Sequence, residues 1–142
     1  MNKLPIKIIT IGLLAMLVTA CGSSAYDYRK DRAVTHVDVP LGKTVSVGTT
    51  GLSITFDSIE QESRCPVNAK CAWAGVGIIN ATVSNTAGQR KPIKLSTINF
   101  ETFNNVEMAF GKDIELVDLL PKPVAGSGAK PVAQKLIKLK VD

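Results

Sequence analysis

Few residues in this chain could do chemistry. Its 142 residues include three cysteines, one histidine and one tryptophan. Two of the cysteines come just ahead of the tryptophan in the run Glu62, Ser63, Arg64, Cys65, Pro66, Val67, Asn68, Ala69, Lys70, Cys71, Ala72, Trp73, Ala74, Gly75. Five residues separate Cys65 from Cys71, so in an oxidising compartment the pair can close a tight disulfide loop. Loop-closure entropy for so small a ring is worth roughly 2 kcal/mol. A redox-active pair would need Cys-x-x-Cys spacing and a neighbouring histidine to lower one thiol pKa, and neither is there. Cys65, Cys71 and His36 are too few soft or imidazole ligands for a metal, so no metal site is expected. Arg64, Lys70 and Trp73 together make a candidate binding ledge, because a rigid aromatic beside an arginine is a common interface anchor. The plainer alternative is structural: Trp73 lies on the sulfurs or caps a sheet edge, and Arg64 bonds loop carbonyls or Glu62.

No enzyme is expected. The sequence has no Gly-x-Ser-x-Gly elbow, no phosphate-cradling glycine loop and no histidine-rich metal spacing, which removes the usual nucleophile, base and metal sets. Only carboxylates paired from distant residues would restore one. His36 alternates outward in its segment and is read as solvent-facing. No cofactor is expected.

The third cysteine, Cys21, has a different setting. Lys3 and Lys7 precede an apolar run from Ile8 to Val18 with no acid before it, the n-region and h-region of a secretory signal. The run is too short for a permanent membrane span, which needs about 20 residues. It ends Leu17, Val18, Thr19, Ala20, Cys21, Gly22, which resembles the lipobox of bacterial lipoproteins. That resemblance implies cleavage before Cys21 and diacylglycerol on its sulfur, with the chain held on a membrane by several acyl chains. Gly22, where some Gram-negative lipoproteins carry an inner-membrane-retaining Asp, implies the periplasmic face of the outer membrane. The alternative is an ordinary signal peptide with a chance cysteine beyond the cut. Losing residues 1–20 takes two lysines and no acid from a formal charge of +5, leaving +3. These charges are scattered, with no basic stripe interleaved with aromatics, so nucleic acid is not an expected partner.

The chain beyond the leader must position these candidates. Residues 21–32 are short and polar around Tyr26 and Tyr28 and read as a lipidated tether; residues 33–142 read as one domain. Apolar residues there recur with period two: Thr35, Val37, Val39; Leu52, Ile54, Phe56; Ile79, Ala81, Val83; Ile93, Leu95; Ile137, Leu139, Val141. Such alternation predicts strands with one buried face. Lys138 and Lys140 fall on the wet face of the last. Turn-forming residues at 40–42, 48–51, 85–89 and 104–105 space the strands for an all-β, antiparallel sandwich, Ig-like or related, or alternatively a small β-barrel. Residues 100–110 carry either a faint helical spacing or an irregular strand pair. In 114–120 the apolar set slips phase from Ile114 and Leu116 to Val117 and Leu119, which predicts a β-bulge or a strand buried on both sides. Residues 121–131, rich in proline and glycine, read as a long mobile loop.

Around the disulfide candidates the chain resembles a group of small, largely uncharacterised bacterial secreted proteins and lipoproteins. These carry Asp-Ser-Arg-Cys-Pro and, a few residues on, Cys-x-Trp-x-Gly. Ser63, Arg64, Cys65 and Pro66 match the first element and Cys71, Trp73 and Gly75 the second, with Glu62 in place of the aspartate. The resemblance implies a β-sandwich-like envelope domain and no particular chemistry. The expectation is therefore a lipid-anchored, non-catalytic envelope protein that binds another envelope component. The alternatives are a periplasmic inhibitor of a lysozyme or protease and, behind it, a thiol carrier.

Overall fold

A computed structural model describes residues 33–126 and 133–142, which fall in one compact unit, Asp31–Asp142. The signal segment, Cys21, the tether and residues 127–131 of the long loop lie outside the described residues. Eight strands follow one another with no helix among the described residues: β1 (Thr35–Pro40), β2 (Thr44–Val47), β3 (Leu52–Glu62), β4 (Gly77–Asn85), β5 (Arg90–Ser96), β6 (Val106–Ala109), β7 (Lys112–Leu120) and β8 (Leu136–Val141). They form two four-stranded sheets, in the order β1-β8-β7-β6 and β2-β3-β4-β5, and every ladder is antiparallel. The result is a β-sandwich, as the alternation predicts, and not a closed barrel. An Ig-like arrangement is not found. Strands β2 to β5 and β6 to β8 pair in chain order as two meanders, with β8 closing on β1, whereas Ig domains connect strands as Greek keys.

The alternating residues meet between the sheets. Val37, Val39, Ile114, Leu116, Leu119, Ile137, Leu139 and Val141 of the first face Ile54, Phe56, Ile79, Ala81, Val83 and Leu95 of the second, all buried. Each fully buried aliphatic or aromatic side chain stabilises the fold by about 1.5–3 kcal/mol, so the two-residue period is also the main source of stability. Two strands escape the sequence pattern. β2 and β6 have four residues each, too few to show a period, and are strands because hairpin partners supply their hydrogen bonds. In β7 the register shifts between Leu116 and Asp118 opposite β8. The bulge turns Val117 outward, 53% exposed, and returns Leu119 to the core at 1%. The phase slip is thus a bulge, and Val117 does not belong to the buried set.

Strand directions sort the connections into two ends. At one end lie the start of β1, the end of β8 and the turns at 48–51, 86–89 and 110–111. Thr35 lies beside the Gly48 turn, and the hydrogen bond from Asp142 N to Asp113 O (3.0 Å) ties β7 to β8 at this entry end. At the other lie residues 41–43, 63–76, 97–105, 121–126 and 133–135, with Leu41 N bonding Lys135 O at 2.8 Å. This is the loop end.

Candidate binding site at the loop end

The Cys-Trp loop is the tip of the β3–β4 hairpin, carried beyond the core. β3 outlasts its buried half by two register shifts, between Phe56 and Ser58 and between Ile59 and Gln61, and its residues past Phe56 are mostly exposed. Past Glu62 the ladder continues: Ser63 N bonds Val76 O at 2.9 Å and Cys65 N bonds Ala74 O at 2.7 Å. Ser63 Oγ reinforces it, donating to Val76 O (3.0 Å) and accepting from Val76 N (3.3 Å). Cys65 and Cys71 are joined, with Cα atoms 5.9 Å apart, so both sulfurs are consumed in the clip. The close approach of the two arms explains Gly75. Its φ is +69°, and a Cβ there would lie 1.9 Å from Ser63 O.

Arg64 locks this tip to the opposite sheet. Its Nε and Nη2 fork onto Glu62 Oε1 and Oε2, both at 2.7 Å, while Nη1 donates to Leu119 O (2.5 Å) and Nη2 to Pro121 O (3.2 Å). The planar guanidinium suits this fork, which an ammonium cannot reproduce. Only 11% of the Arg64 side chain is exposed. Arg64 is therefore spent on internal bonds, to Glu62 and to carbonyls, and leaves the proposed ledge of Arg64, Lys70 and Trp73. Glu62 acts as the partner of that fork. A second brace comes from the 121–126 segment: Val67 N bonds Pro123 O (3.0 Å), and Asn68 exchanges two bonds with Ala125, at 2.9 and 2.8 Å. The described part of the long loop is thus attached to the clipped tip.

What this frame presents is apolar. Trp73 is 59% exposed, Val67 63% and Val124 54%, joined by Val117 from the β7 bulge. Lys70 is also exposed. Between the tip and β7 opens a cleft of about 250 Å³ lined by Arg64, Val67, Ala74, Thr97, Val117 and Pro123 among others. Its carboxylate, Asp118, accepts from Leu119 N at 2.9 Å and faces Lys122 at 3.8 Å. This arrangement suits contact with another apolar surface better than proton transfer. His36 stands exposed on β1 opposite Lys140, away from this end.

A second cleft, about 320 Å³, opens where β5 faces β6 and is lined by Glu60, Ile78, Lys94, Phe103 and Glu107 among others. Glu60 Oε2 lies 2.7 Å from Lys94 Nζ and 3.2 Å from Asn80 Nδ2. The hydrogen bond from Lys94, then that from Asn80, holds the Glu60 carboxyl below its ordinary value, which suits a fixed charge rather than a general acid. Sequence reasoning missed this cleft. Its residues come from β3, β4, β5, β6 and the 102–104 segment, with no spacing to betray them. Compared with known proteins, the chain matches no family model, no curated protein and no solved structure.

Proposed function

We propose that this chain is a non-catalytic bacterial envelope lipoprotein, anchored through acylated Cys21, whose sandwich presents its clipped loop end to a protein partner in the envelope. The observation that carries the reading is rigidity combined with exposure. A disulfide, the Arg64 fork and the Asn68 to Ala125 pair fix the tip, while Trp73, Val67, Val117 and Val124 stay open to solvent. Large side chains held in place before binding lose little entropy on contact, and exposed aromatics are the usual anchors of interfaces. The lipobox-like run ahead of Gly22 supports placement on the periplasmic face of an outer membrane.

Pull-down from crosslinked envelopes tests the reading. Wild type and the double variant Trp73→Ala plus Val67→Ser are compared, both outside the fork. Loss of specific partners from the variant supports the loop end as the contact surface; identical partner sets reject it. The braced tip also suits insertion into a hydrolase cleft, and stoichiometric inhibition of a lysozyme or protease by the wild type but not the variant would name that partner class.

A further inference from the structure

The entry end of the sandwich carries a second set of exposed apolar residues. Phe110 and Gly111 form the two-residue turn between β6 and β7, with φ of +51° and +74°. A turn with positive φ at both positions favours Asn-Gly, and a phenylalanine there is a backbone outlier that packing alone does not require. Phe110 is nevertheless 37% exposed, Met108 beside it 59%, and Val34, just ahead of β1, 47%. Val34 enters at the β1 edge of the sheet and Phe110 and Met108 at the β6 edge, and cations stand on the Phe110 and Met108 side. Lys91 donates from Nζ to Met108 O at 2.5 Å, Arg90 precedes it at the start of β5, and Lys112 follows the turn. None of the three is in an ion pair among the described residues. Among the described residues, the acids near this end include Asp142 and Glu115, both paired with Lys140 at 3.3 and 3.1 Å, and Asp113, opposite Met108 in the ladder.

We infer that this end rests on the membrane, with the Phe110 turn, Met108 and Val34 in the headgroup and acyl boundary and Arg90, Lys91 and Lys112 on anionic lipid phosphates. The inference builds on the lipid-anchor reading. The chain enters β1 at this end, and the residues between Cys21 and Thr35 reach at most about 45 Å when fully extended. Tethering so short raises the local concentration of bilayer at the end it is attached to, so shallow contact needs little affinity of its own. Exposed apolar side chains at one end together with neighbouring cations are what a surface that lies on an anionic interface presents. The Trp73 end then faces away from the membrane, toward a partner.

The test uses the full lipidated chain in vesicles of phosphatidylethanolamine and phosphatidylglycerol doped with brominated lipid. Native Trp73 reports the far end, and Phe110→Trp in a Trp73→Phe background reports the entry end, with Met108→Trp as a second reporter should the turn variant fail to fold. Quenching about threefold stronger at position 110 or 108 than at Trp73, weakened when phosphatidylglycerol is omitted, is the expected result. Co-flotation of the chain with equal quenching at both ends overturns the inference and leaves the anchor standing. Protection of the entry-end reporter with crosslinked dimers on the vesicle assigns the patch to a second copy and also overturns it. Failure to co-float removes the anchor and the inference together.

Discussion

Two glycines differ in one physical respect, which makes substituting them a sharp test of how the loop end is built. Gly75 and Gly88 both have positive φ, +69° and +79°. An alanine at either position bears the left-handed penalty of roughly 1–2 kcal/mol, partly offset by about 0.4–1 kcal/mol from a less flexible unfolded chain. At Gly88 nothing lies within 4 Å of the added Cβ, so Gly88→Ala should cost only about 1 kcal/mol. At Gly75 the same atom meets Ser63 O at 1.9 Å, Ser63 C at 2.7 Å and Arg64 Cα at 2.8 Å. These are backbone atoms pinned by the Ser63 to Val76 bond and close to the Arg64 fork. Overpacking adds about 1–3 kcal/mol, so Gly75→Ala should cost about 2–4 kcal/mol in all. At about 4 °C per kcal/mol for a domain of this size, thermal unfolding should fall by about 4 °C for Gly88→Ala and by about 8–16 °C for Gly75→Ala. Equal melting temperatures would refute the claim that close approach of the hairpin arms, and not turn conformation alone, demands glycine at 75.

Cys65→Ser with Cys71→Ser should lower stability by about 2 kcal/mol through restored freedom of the unfolded loop, seen as a lower urea midpoint with unchanged far-UV spectrum; no shift would mean the Arg64 and Asn68 braces hold the tip unaided. Arg64→Ala strands the carbonyls of Leu119 and Pro121 and should cost about 2–4 kcal/mol, with Arg64→Lys recovering little of it; full rescue by lysine in urea titrations would contradict the fork. Glu60, with its pKa held down in the folded state, contributes stability that is fully present above its unfolded value of 4.5 and is lost as pH falls through the lowered folded value. Urea melts of wild type and Glu60→Gln from about pH 6 to about pH 2 should show the difference between them shrinking only at the acid end, and a constant difference would exclude the linkage.

Much of the fold is legible because its information is local. The alternation in residues 35–39, 52–56, 79–83 and 137–141 states which side chains are buried, since successive residues of a strand point to opposite faces whatever the strand pairs with. Even the bulge in β7 is written as a phase slip, because the core demands Leu119 after Leu116. The Cys65 to Cys71 pairing is likewise readable from spacing. What the sequence could not state is who meets whom. That β8 closes on β1, that the order is a pair of meanders rather than a Greek key, and that β2 and β6 are strands at all follow from pairing, which no single segment encodes. The site depends on the same information. Arg64 and Leu119 are 55 residues apart and Asn68 and Ala125 57, so only the stacking of the two sheets decides between the two sequence readings of Arg64, making it a brace to the opposite sheet, and leaves Trp73, Val67 and Val117 as the exposed surface. Residue type and period govern burial, which is a property of one strand; register and sheet packing govern contact, which belongs to the whole chain.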